Sequence, residues 1–324
     1  MTKEKSSPAQ VDFDVVVVGT GFAGIYALWQ ARQRGYTVKG FERAPDVGGT
    51  WYWNTYPGAR CDVESYNYAY FFDNDIVREW DWSDACAAQG EIQRYLRFVA
   101  EKCGVLGDVS FNSRVGSATF DEKTGLWAVE TSSNQNVLCK YVILAIGALS
   151  DPKVPDIKGV SDFNGESYFT SDWPKDEKVV LNGKRVGVIG TGSSGVQVIP
   201  EIAEVASELT VFQRTANYVT PTRSGPMDDD LVAALRKDPQ SIRREFRQTY
   251  GGHTPLEMGE KRFLELDEAG REQALQDAWD KNYIALAFRD AYLPEANQAI
   301  SDFIRERMRE QVEDTSTAQN LVPW

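Results

Sequence analysis

Histidine is almost missing from this chain, with one residue, His253, in 324. It sits among the turn formers Gly251-Gly252-His253-Thr254-Pro255, where a histidine is more often a surface residue than a general base. Cysteine is nearly as sparse. Cys61, Cys86, Cys103 and Cys139 form no CxxC or CxxxxC pair, so they read as structural thiols, and the redox-active disulfide of a disulfide reductase is excluded. Basic residues are outnumbered, 35 Lys and Arg against 48 Asp and Glu, and a net charge of -13 speaks against nucleic acid as a partner. No apolar run is long enough to span a bilayer. The polar segment Met1 to Gln10 lacks the apolar core of a signal peptide, so the reading is a cytoplasmic protein with a disordered tail over residues 1–11 and no membrane partner.

What is present is a globular composition, 42% apolar and 12% aromatic, in a chain long enough for more than one core. Val15 to Val18 are four consecutive β-branched residues, as in a parallel strand buried on both faces. The strand runs into Gly19-Thr20-Gly21-Phe22-Ala23-Gly24. The first glycine allows a tight turn, the second lets a pyrophosphate approach the backbone, and the third lets the next helix pack close. That helix, predicted over Ile25 to Arg34, would present its N-terminus to the phosphates. A second strand, Thr37 to Phe41, delivers Glu42 about 20 residues past the loop, where an acid accepts hydrogen bonds from a ribose diol.

The segment Gly48 to Asp62, GGTWYWNTYPGARCD, is too apolar to be solvated and too irregular to be a strand. It reads as the lining of a flat hydrophobic ligand, and an isoalloxazine ring suits it. Glu91 to Cys103 has helical spacing, and Ser110 to Glu130 alternates like antiparallel strands about a turn at Lys123-Thr124-Gly125. Tyr141 to Gly147 reads as a second buried strand beside the first. Ser150 to Pro155, with two prolines, is a linker.

Arg185 to Ile189 and Gly190-Thr191-Gly192-Ser193-Ser194-Gly195 repeat the opening strand and loop, so two dinucleotides are implied. A helix from Val196 to Val205 and a strand from Glu208 to Gln213 follow. Where the first unit has Glu42, this one offers Gln213, Arg214 and Thr215, and a cation with a hydroxyl suits the 2′-phosphate of NADPH. From Met227 the sequence is charged and helix-forming, over Asp228 to Lys237, Gln240 to Tyr250, Lys261 to Phe288 and Glu295 to Val312. The fold class is therefore α/β. Two Rossmann-like dinucleotide-binding domains, residues 12–149 and 150–225, carry a helical subdomain at 226–324.

The two glycine loops, GGTWYWNTYPGARCD, and Val211-Phe-Gln-Arg-Thr-Ala-Asn217 match Baeyer-Villiger monooxygenases of the class B flavoprotein type in order and spacing, so the chain resembles that family. The family fingerprint FxGxxxHxxxW followed by Pro maps onto Phe163 to Pro174, with Phe169 in place of its histidine, and Thr55 stands where the family usually has arginine. The resemblance implies that FAD is held by Gly19, Gly21, Phe22, Ala23, Gly24, Glu42, Arg43, Gly49, Thr50, Trp51, Trp53, Tyr56, Asp62, Val63, Tyr68, Val115, Ala145 and Gly147. It places NADPH on Gly190, Thr191, Gly192, Ser193, Ser194, Gly195, Gln197, Arg214 and Thr215. It further implies that NADPH reduces FAD, that O2 adds to give a C4a-peroxyflavin, and that a ketone becomes an ester or lactone. Asp62 would orient a catalytic arginine that the family carries beyond Trp324. The expectation is one subunit of a split monooxygenase completed by a second polypeptide, with a non-catalytic flavin-binding subunit or an N- or S-oxygenating relative as alternatives.

Overall fold

The computed structural model describes residues 10–149, 151–175, 179–222, 224–249, 262–284 and 287–323. His253 lies outside the described residues. In chain order the elements are β1 (Phe13–Val18), α1 (Phe22–Gln33), β2 (Val38–Phe41), a single helical turn α2 (Thr50–Trp53), α3 (Asn74–Glu79), α4 (Gln89–Lys102), β3 (Val109–Ser110), β4 (Val115–Asp121), β5 (Leu126–Thr131), β6 (Asn136–Leu144), β7 (Arg185–Ile189), α5 (Ser193–Ala203), β8 (Glu208–Phe212), α6 (Asp229–Lys237), α7 (Pro239–Gln248), α8 (Glu268–Asp280), α9 (Pro294–Glu310) and α10 (Thr315–Leu321). They fall into two compact units, Met1–Tyr56 with Gln89–Lys178, and Pro57–Ala88 with Val179–Trp324. This division cuts across the segments drawn from sequence, because residues 57–88 go with the second unit and 151–175 with the first.

The first unit is built on a sheet in the order β3-β2-β1-β6-β5-β4. β1 lies between β2 and β6, parallel to both, and Val15, Val16 and Val17 are buried as a central strand requires. β6 changes partner along its length. Its first half pairs antiparallel with β5, its second half runs beside β1, and Cys139 at the joint is buried with Val16, Phe41 and Val129. The predicted hairpin is β4 and β5, joined through Glu122 to Gly125. β3, a two-residue strand parallel to β2, has no sequence signal.

Three expectations are corrected here. α1 begins at Phe22, three residues earlier than predicted, because Gly21 in extended conformation caps it directly after the loop. The aromatic segment, read as irregular, contains the turn α2. β6 takes the expected place beside β1, but its stretch from Tyr141 is not buried: Tyr141 is 56% and Leu144 65% exposed.

In the second unit β7 and β8 pair in parallel on either side of α5, the βαβ connection that the repeat predicts. Most of its apolar core is helical. α9 turns Ala296, Ile300 and Ile304 inward at four-residue spacing, against Phe263, Leu275, Ile284 and Phe288. Asp228 and Asp238 cap α6 and α7 with their carboxylates, and Pro239 and Pro294 occupy first-turn positions.

The single helix predicted over Lys261 to Phe288 is also corrected. Asp290, buried, accepts from the N–H groups of Phe263 at 2.8 Å and Leu264 at 3.0 Å, which holds these residues in a 3-10 turn. Asp267 then starts α8 by accepting from Gly270 N, and Asn282 at φ 57° follows its end. Burial pushes the Asp290 carboxyl up, but the Leu264 and Phe263 donors outweigh it and hold it below the usual aspartate range. A depressed folded value contributes stability above about pH 4, and that stability is lost as pH falls through the lower folded value. Asp290→Ala leaves a buried N–H unpaired and should cost about 1 to 3 kcal/mol. Urea titrations should show this loss at pH 7, narrowing as pH drops below 4. Equal midpoints for both proteins at neutral pH would contradict it.

Candidate functional site

The β1–α1 loop is shaped by approaches that no side chain survives. Gly19 has φ 94°, and a Cβ there would stand 2.6 Å from Ala145 O. A Cβ on Gly24 would stand 1.9 Å from Gly19 O, so the third glycine lets the helix close on its own loop. α1 has no side-chain cap and no acid in its first turn, which leaves its N-terminal N–H groups and positive dipole end to a ligand.

A cleft of about 560 Å³ opens there, within the range of small-molecule sites. Its walls include the predicted Gly19, Gly21, Phe22, Ala23, Glu42, Arg43, Gly49, Thr50, Trp51, Trp53, Val115, Ala145 and Gly147. Gly24 and Tyr56 belong to the same unit without lining it. Gly21 and Gly49 stand back to back, since a Cβ on Gly49, itself at φ 54°, would meet Gly21 Cα at 2.9 Å. The need for glycine at 49 is therefore steric, a reason the sequence does not disclose.

Glu42 lines the cleft and is 5% exposed. Its Oε2 accepts from Thr20 N at 2.7 Å and Thr20 Oγ1 at 3.1 Å, and its Oε1 from Ala44 N at 2.9 Å. The acid predicted for a ribose thus also ties the glycine loop to the end of β2. Beside it Arg43 pairs with Asp151 at 2.6 Å and lies over the Trp53 ring at 4.2 Å, and Arg114 reaches the same aspartate at 3.2 Å. Thr20, Ser113, Arg114 and Asp151 line the cleft but were not foreseen. They lie at strand and linker ends, where only the fold brings them together.

In the second unit Gly190 has φ 103°, and a Cβ on Gly195 would stand 2.4 Å from Gly190 O, the same closure as in the first. α5 starts at Ser193 behind Gly192, again without side-chain cap or acid, with Ser194 in its first turn. Thr191 is held by Asn217, whose Nδ2 donates to Thr191 O at 2.8 Å. Arg214 and Thr215 are exposed just past β8, and Arg214 has no ion-pair partner among the described residues. The Gln197 side chain is bonded to the Arg60 backbone. Its Nε2 donates to Arg60 O at 3.1 Å and its Oε1 accepts from Arg60 N. Asp62, Val63 and Tyr68 also belong to this unit. Asp62 and Val63 are exposed, and the Tyr68 phenol is pushed up to about 12 by burial and then by Cys61 and Asp62. Burial likewise pushes the Cys61 thiol to about 12, so it stays protonated and unreactive, as a structural thiol should. Among the described residues no helix is long and apolar enough to cross a membrane, and no group of metal ligands is found.

The family model described as pyridine nucleotide-disulphide oxidoreductase matches residues 13–239. A Baeyer-Villiger monooxygenase of Pseudooceanicola batsensis is 39% identical over 99% of this chain and 59% of its own length. A phenazine N-monooxygenase of Lysobacter antibioticus is 39% identical over 96% of this chain and 58% of its own. Among solved structures, the OTEMO complex with FAD and NADP superposes with a TM-score of 0.89 at 39% identity, covering 98% of this chain and 61% of that one. The chain thus spans about three fifths of the length of the relatives it matches. It belongs to the pyridine nucleotide-disulphide oxidoreductase family, and within that family it is similar to Baeyer-Villiger monooxygenases over about three fifths of their length.

Proposed function

We propose that this chain is the FAD- and NADPH-binding part of a Baeyer-Villiger-type monooxygenase, with FAD on the fold of residues 12–149 and NADPH on that of residues 150–225. The observation that carries the reading is the first-unit cleft, where the uncapped N-terminus of α1, the side-chain-free face of Gly21 and the carboxylate of Glu42 stand together. These are the donor, space and acceptor that a pyrophosphate and its ribose need. Gly19 to Ala23 and Glu42 would hold FAD there, and when bound it would supply the hydride-accepting and O2-activating chemistry that the protein's own side chains cannot.

The chain's own part is binding and orientation. Thr50, Trp51 and Trp53 supply an apolar wall that excludes water, and Gly19 to Ala23 hold the phosphates. Asp62 keeps an exposed carboxylate with no ion pair among the described residues, suited to hold a cation. We place that cation in the part of the family beyond these residues, on the same or a second polypeptide, and a ketone as the substrate. The likeness to a phenazine N-monooxygenase keeps a nitrogen-oxygenating activity as the second reading, and a panel of ketones and heteroaromatic amines separates the two.

Gly21→Val should abolish stoichiometric FAD binding, because a valine Cβ would stand 3.4 Å from Gly49 Cα and its methyls would take the phosphate's place. A yellow Gly21→Val protein with one FAD per chain would refute the site. Arg214→Ala removes a charge-assisted phosphate contact of about 1.5 to 3 kcal/mol, so NADPH affinity should fall by roughly one to two decades with NADH unaffected. Equal weakening of both nucleotides would show that Arg214 does not read the 2′-phosphate.

A further inference from the structure

Gly48 to Ala59 carries no charged side chain, yet two cations reach it from outside. One is Arg43 over Trp53. The other is Lys175, directly after the fingerprint residues Trp173 and Pro174. Its Nζ lies 5.0 Å from the Tyr52 ring centroid and 5.3 Å from that of Trp53, and it donates to Trp53 O at 3.1 Å and Thr55 Oγ1 at 3.5 Å. The carbonyls of α2 are thus held by three side chains. Asn54 takes Thr50 O at 2.9 Å, Gln89 takes Trp51 O, and Lys175 takes Trp53 O at the end of the turn. Of these three, Lys175 is the one that directly follows the fingerprint segment. That segment is a compact piece, with Phe169 bridged to Asp172 and the Tyr168 and Trp173 rings 5.6 Å apart.

We propose that Lys175 is a positioning residue that clamps the fingerprint segment onto the aromatic wall of the FAD cleft, supplying from outside the cation that the loop lacks at Thr55. The proposal rests on the FAD reading above. An ammonium over two rings and on a carbonyl acts through its charge, so arginine replaces it and methionine, of similar length, does not. Order in the wall and in the segment therefore rises and falls together.

The test uses the full chain as wild type, Lys175→Met, Lys175→Arg, and Lys175→Met with Thr55→Arg. Hydrogen exchange is followed without FAD in peptides covering 50–56 and 163–174, and FAD affinity is measured by fluorescence titration. Lys175→Met should speed exchange in both peptides and weaken FAD by about tenfold. Lys175→Arg should restore both. Thr55→Arg in the methionine background should restore the wall peptide and FAD affinity but leave 163–174 fast, which a generally destabilised fold would not do. Unchanged exchange in either peptide of Lys175→Met, or no rescue by arginine, would overturn the clamp. A wild-type chain that takes up no FAD overturns the cofactor reading instead, and the two peptides still decide the clamp.

Discussion

The organising constraint is the contact of a helix with the loop that feeds it. In the first unit the Gly19 carbonyl lies 1.9 Å from where a Cβ of Gly24 would be, and in the second the corresponding distance from Gly190 to Gly195 is 2.4 Å. Only glycine permits this, and the closeness brings each helix N-terminus to the end of its strand. Without it, α1 would start elsewhere and its N–H groups would not converge on the cleft. Its dipole would then aim at nothing.

Around that constraint the cleft is held by charge. Glu42 is engaged by three donors from Thr20 and Ala44, which fixes the loop from the end of the neighbouring strand β2. Asp151 bridges Arg43 and Arg114, joining the linker to strand and loop ends. The second unit has the same loop closure, but its acceptor corner is open, and Arg214 faces solvent where Glu42 is buried. That difference in burial follows the difference in side-chain chemistry.

Much of this was legible in the sequence because glycine spacing and valine runs report backbone geometry directly. The strand, loop, helix and acid of the first unit, and the strand and loop repeated at Arg185 to Gly195, needed no tertiary information. Gly49 was legible as a loop residue but not as the partner of Gly21, because their approach depends on how the chain returns. The break at Asp267 was missed because apolar spacing over Lys261 to Phe288 is helical, and the residue that overrides it, Asp290, acts from beyond the segment. The exposure of β6 was invisible for a related reason, since an apolar strand looks the same whether or not its faces are covered.

The central claim is that FAD sits on the N-terminus of α1. Backbone amide chemical shifts of the isotopically labelled chain, followed as FAD is added, test it most directly. The account predicts one site per chain, with the largest changes at Gly21, Phe22 and Ala23 and at Thr20 beside Glu42. Changes confined to Gly190 to Gly195, or none at Gly21 to Ala23 when FAD is saturating, would contradict it.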